Sequence, residues 1–232
     1  MSAHVLDRPV WTSLATEHAR FALGDDRARR LAPALGPFAA ARDDDPESLA
    51  ALSALASVDG PLVLLQADPI ALPPRLAAAM TAEGVQMIYA ERVAPRAPAI
   101  DVPLERLTAA DAPAMVALAA MTKPGPFALR THELGDFWGA RERGQLIAMA
   151  GERLRQDGFT EVSGVCTHPD ARGRGLARLL STRVTAQILA RGDTPYLHAY
   201  AANAAAIGLY ESLGYRLRAP VHVAVVRPRR TA

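Results

Sequence analysis

The sequence predicts an α/β fold. Three observations carry this reading: apolar residues at helical spacing, strand-like runs between them, and Gly or Pro breaks at the junctions. At 232 residues, half of them apolar, the chain can bury a substantial core.

Taken in order, Asp45, Pro46 and Glu47 read as an N-cap, a first-turn proline and an acidic second residue. Leu49, Leu52 and Leu55 then follow at helical spacing. After Gly60-Pro61, LVLLQ (62–66) has the pattern of a buried strand. LPPRLAAAMTAEG (72–84) reads as a helix closed by Gly84, and VQMIYA (85–90) as another strand. Residues 1–100 are thus expected to form a small α/β unit. VAPRAPAIDVP (93–103), with three prolines in eleven residues, marks a linker, and the domain boundary is placed near residue 100.

Beyond it, Thr108 and Asp111 open an Ala-rich helix to about Met121, KPGPF turns the chain, and 131–136 reads as a short helical turn. QLIAMAGERLR (145–155) and FTEVSGVCTH (159–168) read as strands joined by a Gln156-Asp157-Gly158 hairpin. Leu176, Leu179, Leu180, Val184 and Ile188 share one helical face, which ends at Arg191-Gly192. YLHAYA (196–201) is a further strand. Asn203 caps a helix carrying Ala206, Ile207, Leu209, Tyr210 and Leu213, with Gly214 as its C′ residue, and YRLR and VHVAVV read as closing strands. Gly-Pro-Phe-Ala occurs at 36–39 and 125–128, and four residues do not establish a duplication.

The net charge of +2, from 26 Lys and Arg against 24 Asp and Glu, gives no indication of nucleic-acid binding, and the basic tail Arg227 to Ala232 reads as a solvated terminus. A single cysteine, Cys166, rules out an intrachain disulfide, offers no Cys/His metal spacing and suits a reducing cytoplasm. Leu49 to Val58, the longest uncharged apolar stretch in the first hundred residues, is about half what a membrane span requires, and MSAHVLDRPVW lacks a basic start followed by an apolar core. No membrane association and no metal are expected.

The most informative stretch is THPDARGRGLARLL (167–180): strand end, Gly-containing turn, helix start. Such a turn presents free backbone amides and the positive end of a helix dipole, which suits a phosphate. Gly173 and Gly175 allow positive φ and close approach, and Arg172 and Arg174 add charge. A P-loop would need GK[ST], and the loop has no Lys. A dinucleotide fingerprint would need Gly at 178, which is Arg. The remaining pattern, Arg/Gln-x-x-Gly-x-Gly/Ala, is met by residues 172–177.

With that motif the sequence resembles the GNAT superfamily of acyl-CoA-dependent N-acyltransferases. VCTHPDARGRGLA resembles the family's strand-4 end and pyrophosphate loop. AANAAAIGLYESLGYR resembles its second signature, N-x-x-A-x-x-L-Y-x-x-x-G-F/Y. The resemblance covers about 101–232 and is nearest to the FR47-like branch. It implies a mixed, mainly antiparallel central sheet flanked by helices, after an N-terminal unit that could be a decayed copy of the same fold.

The resemblance also implies acetyl-CoA as co-substrate, held by main-chain groups of Val165, Cys166 and Thr167, by the amides of Arg172, Gly173, Arg174, Gly175, Leu176 and Ala177, and by Asn203. Tyr210, seven residues from Asn203 and on the same helix side, would protonate the leaving thiolate. Glu161 is the candidate base, because histone-acetylating members carry theirs at the corresponding place. Strand alternation would put it on one face with Ser163 and Val165, and Glu152 is the reserve. A lone strand Cys reads as a buried apolar residue, and neither His168 nor His198 is assigned a catalytic role. The expected acceptor is a small-molecule or peptide amine, and a homodimer is compatible with the sequence. The competing reading is a non-catalytic acyl-CoA sensor or interaction module.

Overall fold

A computed structural model describes residues 4–56, 60–73 and 75–229. Pro74, inside the predicted 72–84 helix, and Arg230 to Ala232 of the basic tail lie outside the described residues. The chain begins with α1 (Pro9–Ala15) and a three-stranded antiparallel sheet of β1 (Ala22–Gly24), β2 (Ala28–Leu31) and β3 (Ala39–Ala41). Then come α2 (Pro46–Leu55), β4 (Leu62–Gln66), β5 (Leu76–Tyr89), β6 (Leu104–Leu107), α3 (Ala112–Thr122), β7 (Phe137–Glu142), β8 (Gln145–Gln156) and β9 (Phe159–Thr167). The chain closes with α4 (Leu176–Ala190), β10 (Thr194–Tyr200), α5 (Ala204–Ser212) and β11 (Tyr215–Pro228).

Strands β4 to β11 form one sheet in the order β4-β11-β5-β10-β9-β8-β7-β6. Every pairing is antiparallel except β9 with β10. That parallel pairing is short: it runs from Thr194↔Phe159 to Tyr196↔Glu161 and stops, although both strands continue. The sheet therefore opens between the ends of β9 and β10. The apolar face of α4 closes one side, burying Leu176, Leu179, Leu180, Val184 and Ile188. The sheet also runs across the expected boundary near residue 100, because β4 and β5 bond to β11 and β10.

Of the helix expected over 72–84, residues 76–84 are instead the first part of β5. Alanine favours a helix over other ordinary residues by at most about 0.7 kcal/mol per position, whereas residues 76–89 pair along their length with β11. Tertiary hydrogen bonding overrides the local preference. The two closing strands are likewise one, β11, with a register shift between Leu217 and Ala219. Asp45 holds the N-cap position of α2 without a side-chain cap bond, while Thr108 and Asp111 form a capping box ahead of α3.

Candidate active site

The turn between β9 and α4 follows from its glycines. Gly173 (φ 75°) and Gly175 (φ 76°) are left-handed, a region costing most residues about 1–2 kcal/mol. A Cβ on Gly173 would enter open space, while one on Gly175 would come within 2.5 Å of Ile100 Cδ1, so the linker crosses directly above the helix start. The Arg172 amide donates to Pro169 O, so one of the six amides expected to face a phosphate is spent in the turn. Those of 173–177 have no backbone acceptor among the described residues. The Arg172 side chain is exposed and has no partner among the described residues, Arg174 pairs with Glu142 (3.1 Å), and Arg178 donates to Ser212.

Where β9 and β10 part lies a cavity of about 200 Å³. Val165, Asn203 and Tyr210 line it. Asn203 Oδ1 accepts from Ala206 N (3.1 Å), capping α5 and leaving its amide hydrogens free. Tyr210 is 8% exposed and its hydroxyl has no hydrogen-bond partner among the described residues. Burial, reinforced by nearby Cys166, pushes its pKa up to about 12, so it keeps its proton at neutral pH. Cys166 is buried against Met115 and Met149 and does not itself line the cavity, and burial raises its thiol to about 11. Thr167 ends β9 opposite Ala148.

Glu161 occupies a different setting from the one the sequence suggested. Its side chain is 1% exposed and absent from the cavity lining. Arg153 holds it through two bonds (2.8 and 2.6 Å), and His198 Nδ1 lies 2.7 Å from Oε1. Burial by itself would raise the carboxyl, but the charge and bonds of Arg153, with His198, overcome it and pull the pKa down to about 2. The face shared with Val165 is also lost. Gly164 (φ 64°) and Val165 together oppose Ala150 in a bulge, so Val165 packs in the same cluster as Val162, on the α4 side. Strand alternation cannot anticipate the extra residue. A second bulge in β8 sets Arg153 and Leu154 opposite Glu161. The reserve candidate, Glu152, bonds Arg191 (2.9 Å) and Gln187 and faces away from the cavity.

Several lining residues were given no role from sequence. His198 is one, and its ring is oriented through an amide. Arg218 can only donate, and it donates to Gln86 Oε1 (2.7 Å), so the Gln86 nitrogen faces Leu6 O and His198 Nε2 (both 2.9 Å). His198 Nε2 is thus the acceptor, and Nδ1–H donates to Glu161. Arg218 also pairs with Asp7, which ties the network to the chain's start. The alternation Tyr196, His198, Tyr200 was the available signal. Phe38 is another: the Arg153 guanidinium stacks 4.5 Å over its ring. Lys123, at φ 51°, and apolar side chains of β4 and β11 also line the cavity. Among the described residues no His, Cys, Asp and Glu cluster could hold a metal, and no helix is long and apolar enough to cross a membrane.

Comparison with known proteins agrees with this architecture. The family model described as FR47-like protein matches residues 137–223. A Novosphingobium aromaticivorans protein assigned to the GNAT family of acetyltransferases is 44% identical, over 98% of this chain and all of that one, with a TM-score of 0.89. The chain therefore belongs to the GNAT family of acetyltransferases. A GCN5-related N-acetyltransferase from Kribbella flavida (20% identity, TM-score 0.67) shares the fold over 97% of this chain and 96% of its own. So does a functionally unknown Staphylococcus epidermidis protein, at 10% identity, over 90% and 93%, with a TM-score of 0.57. No curated protein matches the chain.

Proposed function

We propose that the protein transfers an acetyl group from acetyl-CoA to a primary amine by direct attack. The observation that carries this reading is the opening of β9 from β10, with Tyr210 on its wall and unspent amides at the nearby start of α4. The amides of 173–177, aided by Arg172, bind the pyrophosphate. Main-chain groups around Val165 to Thr167, freed where β9 leaves β10, align the pantetheine arm, and Asn203 contributes its amide hydrogens.

The attacking nitrogen forms its bond to the acetyl carbon as the carbon–sulfur bond breaks, the departing thiolate takes the Tyr210 proton, and the proton the nitrogen loses on becoming an amide passes to solvent, from which Tyr210 is reprotonated. At about 12, Tyr210 remains an acid over the working pH range. The acceptor must arrive as the free amine. An apolar cavity with cationic residues on its wall disfavours the ammonium form, so deprotonation is assigned to the cavity's electrostatics and to solvent. Glu161, strongly acidic and buried, is assigned a positioning role, holding Arg153 and His198.

Thermal unfolding with and without acetyl-CoA tests the first half: protection of about 2.7 kcal/mol is expected at a hundredfold excess over Kd, and no protection would end the reading. CoA release with a library of amines tests the second, since binding without turnover on any acceptor would favour a sensor.

A further inference from the structure

The same cavity carries information about the acceptor. Val63 and Leu65 of β4 and Val221, Val223 and Val225 of β11 line one side. The register places Val223 against Leu65 and Val225 against Val63, so these side chains form a continuous apolar floor. Among the described residues no Asp or Glu lines the cavity. The Glu161 carboxylate behind the wall is already matched in charge by Arg153 and accepts a hydrogen bond from His198. A second ammonium on an acceptor would meet no counter-charge here.

The opposite charge is present. Arg153 is spent on Glu161 and Phe38. Lys123, the chain's single lysine, lines the cavity, and its side chain has no hydrogen-bond or ion-pair partner among the described residues. It caps α3 in the left-handed region, at φ 51°, where glycine would be the relaxed choice. A bulky residue held in such a conformation is a mark of functional sites. The cavity, at about 200 Å³, is also below the roughly 300–1,000 Å³ of drug-sized sites.

From these features we infer that the acceptor is a small amino-acid-like amine bearing a carboxylate and an apolar side chain. The carboxylate pairs with Lys123, the side chain lies on the β4/β11 floor, and the uncharged amine faces the thioester. The inference rests on the acetyltransferase reading and names its substrate class.

The test compares leucine, leucinamide and spermidine as acceptors, following release of the CoA thiol. Leucine should exceed both in kcat/KM by about tenfold or more, the scale of one charge-assisted hydrogen bond. Lys123→Gly should raise KM for leucine about tenfold, leave leucinamide within about twofold and leave Tm unchanged or higher, while Lys123→Arg keeps the preference. A purely structural Lys123 would affect leucine and leucinamide equally, and that result overturns the inference. So does a preference for leucinamide or spermidine, or acetyl-CoA binding with no turnover on any of the three. Absence of thermal protection by acetyl-CoA would remove the acetyltransferase reading itself, and the inference with it.

Discussion

The two sides of the cavity are assembled differently. On one side, the turn at 172–175, the start of α4 and the Asn203–Tyr210 face of α5 take their geometry from residues close in sequence: left-handed glycines, a side-chain cap and the helical repeat. On the other, β4, β11, Phe38 and Lys123 come from distant parts of the chain and meet only because β11 lies between β4 and β5. Chemistry common to a family can reside in the first kind of structure, where a short motif suffices. Acceptor choice can reside in the second, where changing a strand surface leaves the turn intact. Changes in the cradle should therefore affect every acceptor alike, and changes in the wall should discriminate among them.

The largest expected effect probes the cradle. Tyr210→Phe should lower kcat by about 10²–10⁴-fold for every acceptor while the acetyl-CoA Kd stays within a few-fold, measured by steady-state kinetics and calorimetry. Equal losses in turnover and cofactor binding would remove its role as acid.

Next is the joint between the two sides. Glu161→Ala leaves Arg153 buried without its counter-ion and should cost about 3–5 kcal/mol in denaturant unfolding. The pH dependence shares this cause. The Glu161 carboxyl lies below its ordinary 4.5, at about 2, so the stability it supplies is complete above 4.5 and is lost as the pH falls toward 2. Glu161→Gln should flatten that part of the acid-unfolding profile. An unchanged profile would show that the pair does not couple folding to protons.

A smaller effect separates the two glycines of the turn. Gly173→Ala meets open space and should cost only the left-handed penalty, about 1–2 kcal/mol in unfolding free energy. Gly175→Ala adds a contact with Ile100 and should cost more. The reverse order would mean that the linker does not press on the turn.

The smallest expected effect probes the wall. Val223→Ala trims the floor by two methyl carbons and should raise KM for apolar acceptors by about tenfold, on the scale of roughly 0.8 kcal/mol per buried carbon, without changing the acetyl-CoA Kd. A change in cofactor affinity instead would erase the distinction between the two sides.

The cradle was legible because its determinants are local. Gly173, Gly175, Asn203 and Gly214 each impose a backbone geometry or a cap within a few residues, and the apolar face of α4 follows from its period. The Gly164 bulge, by contrast, adds one residue to a strand and reverses the face of those after it, which moved Val165 away from Glu161. A glycine in a strand hints at such a bulge, but its partner strand decides it.

By itself the sequence determined the α/β class, the glycine turn at 172–175, the second signature with Tyr210, and thereby the family. Tertiary structure alone decided three things. It turned 76–84 into strand, because pairing with β11 outweighs alanine's weak helical preference. It converted Glu161 from a candidate base into a buried counter-ion, because Arg153 and His198 converge on it from neighbouring strands. It also brought the chain's single lysine to an apolar floor drawn from both halves of the chain. A hydrogen-bond ladder, a charge environment and a cavity wall all depend on what is packed alongside, and that is a property of the folded chain.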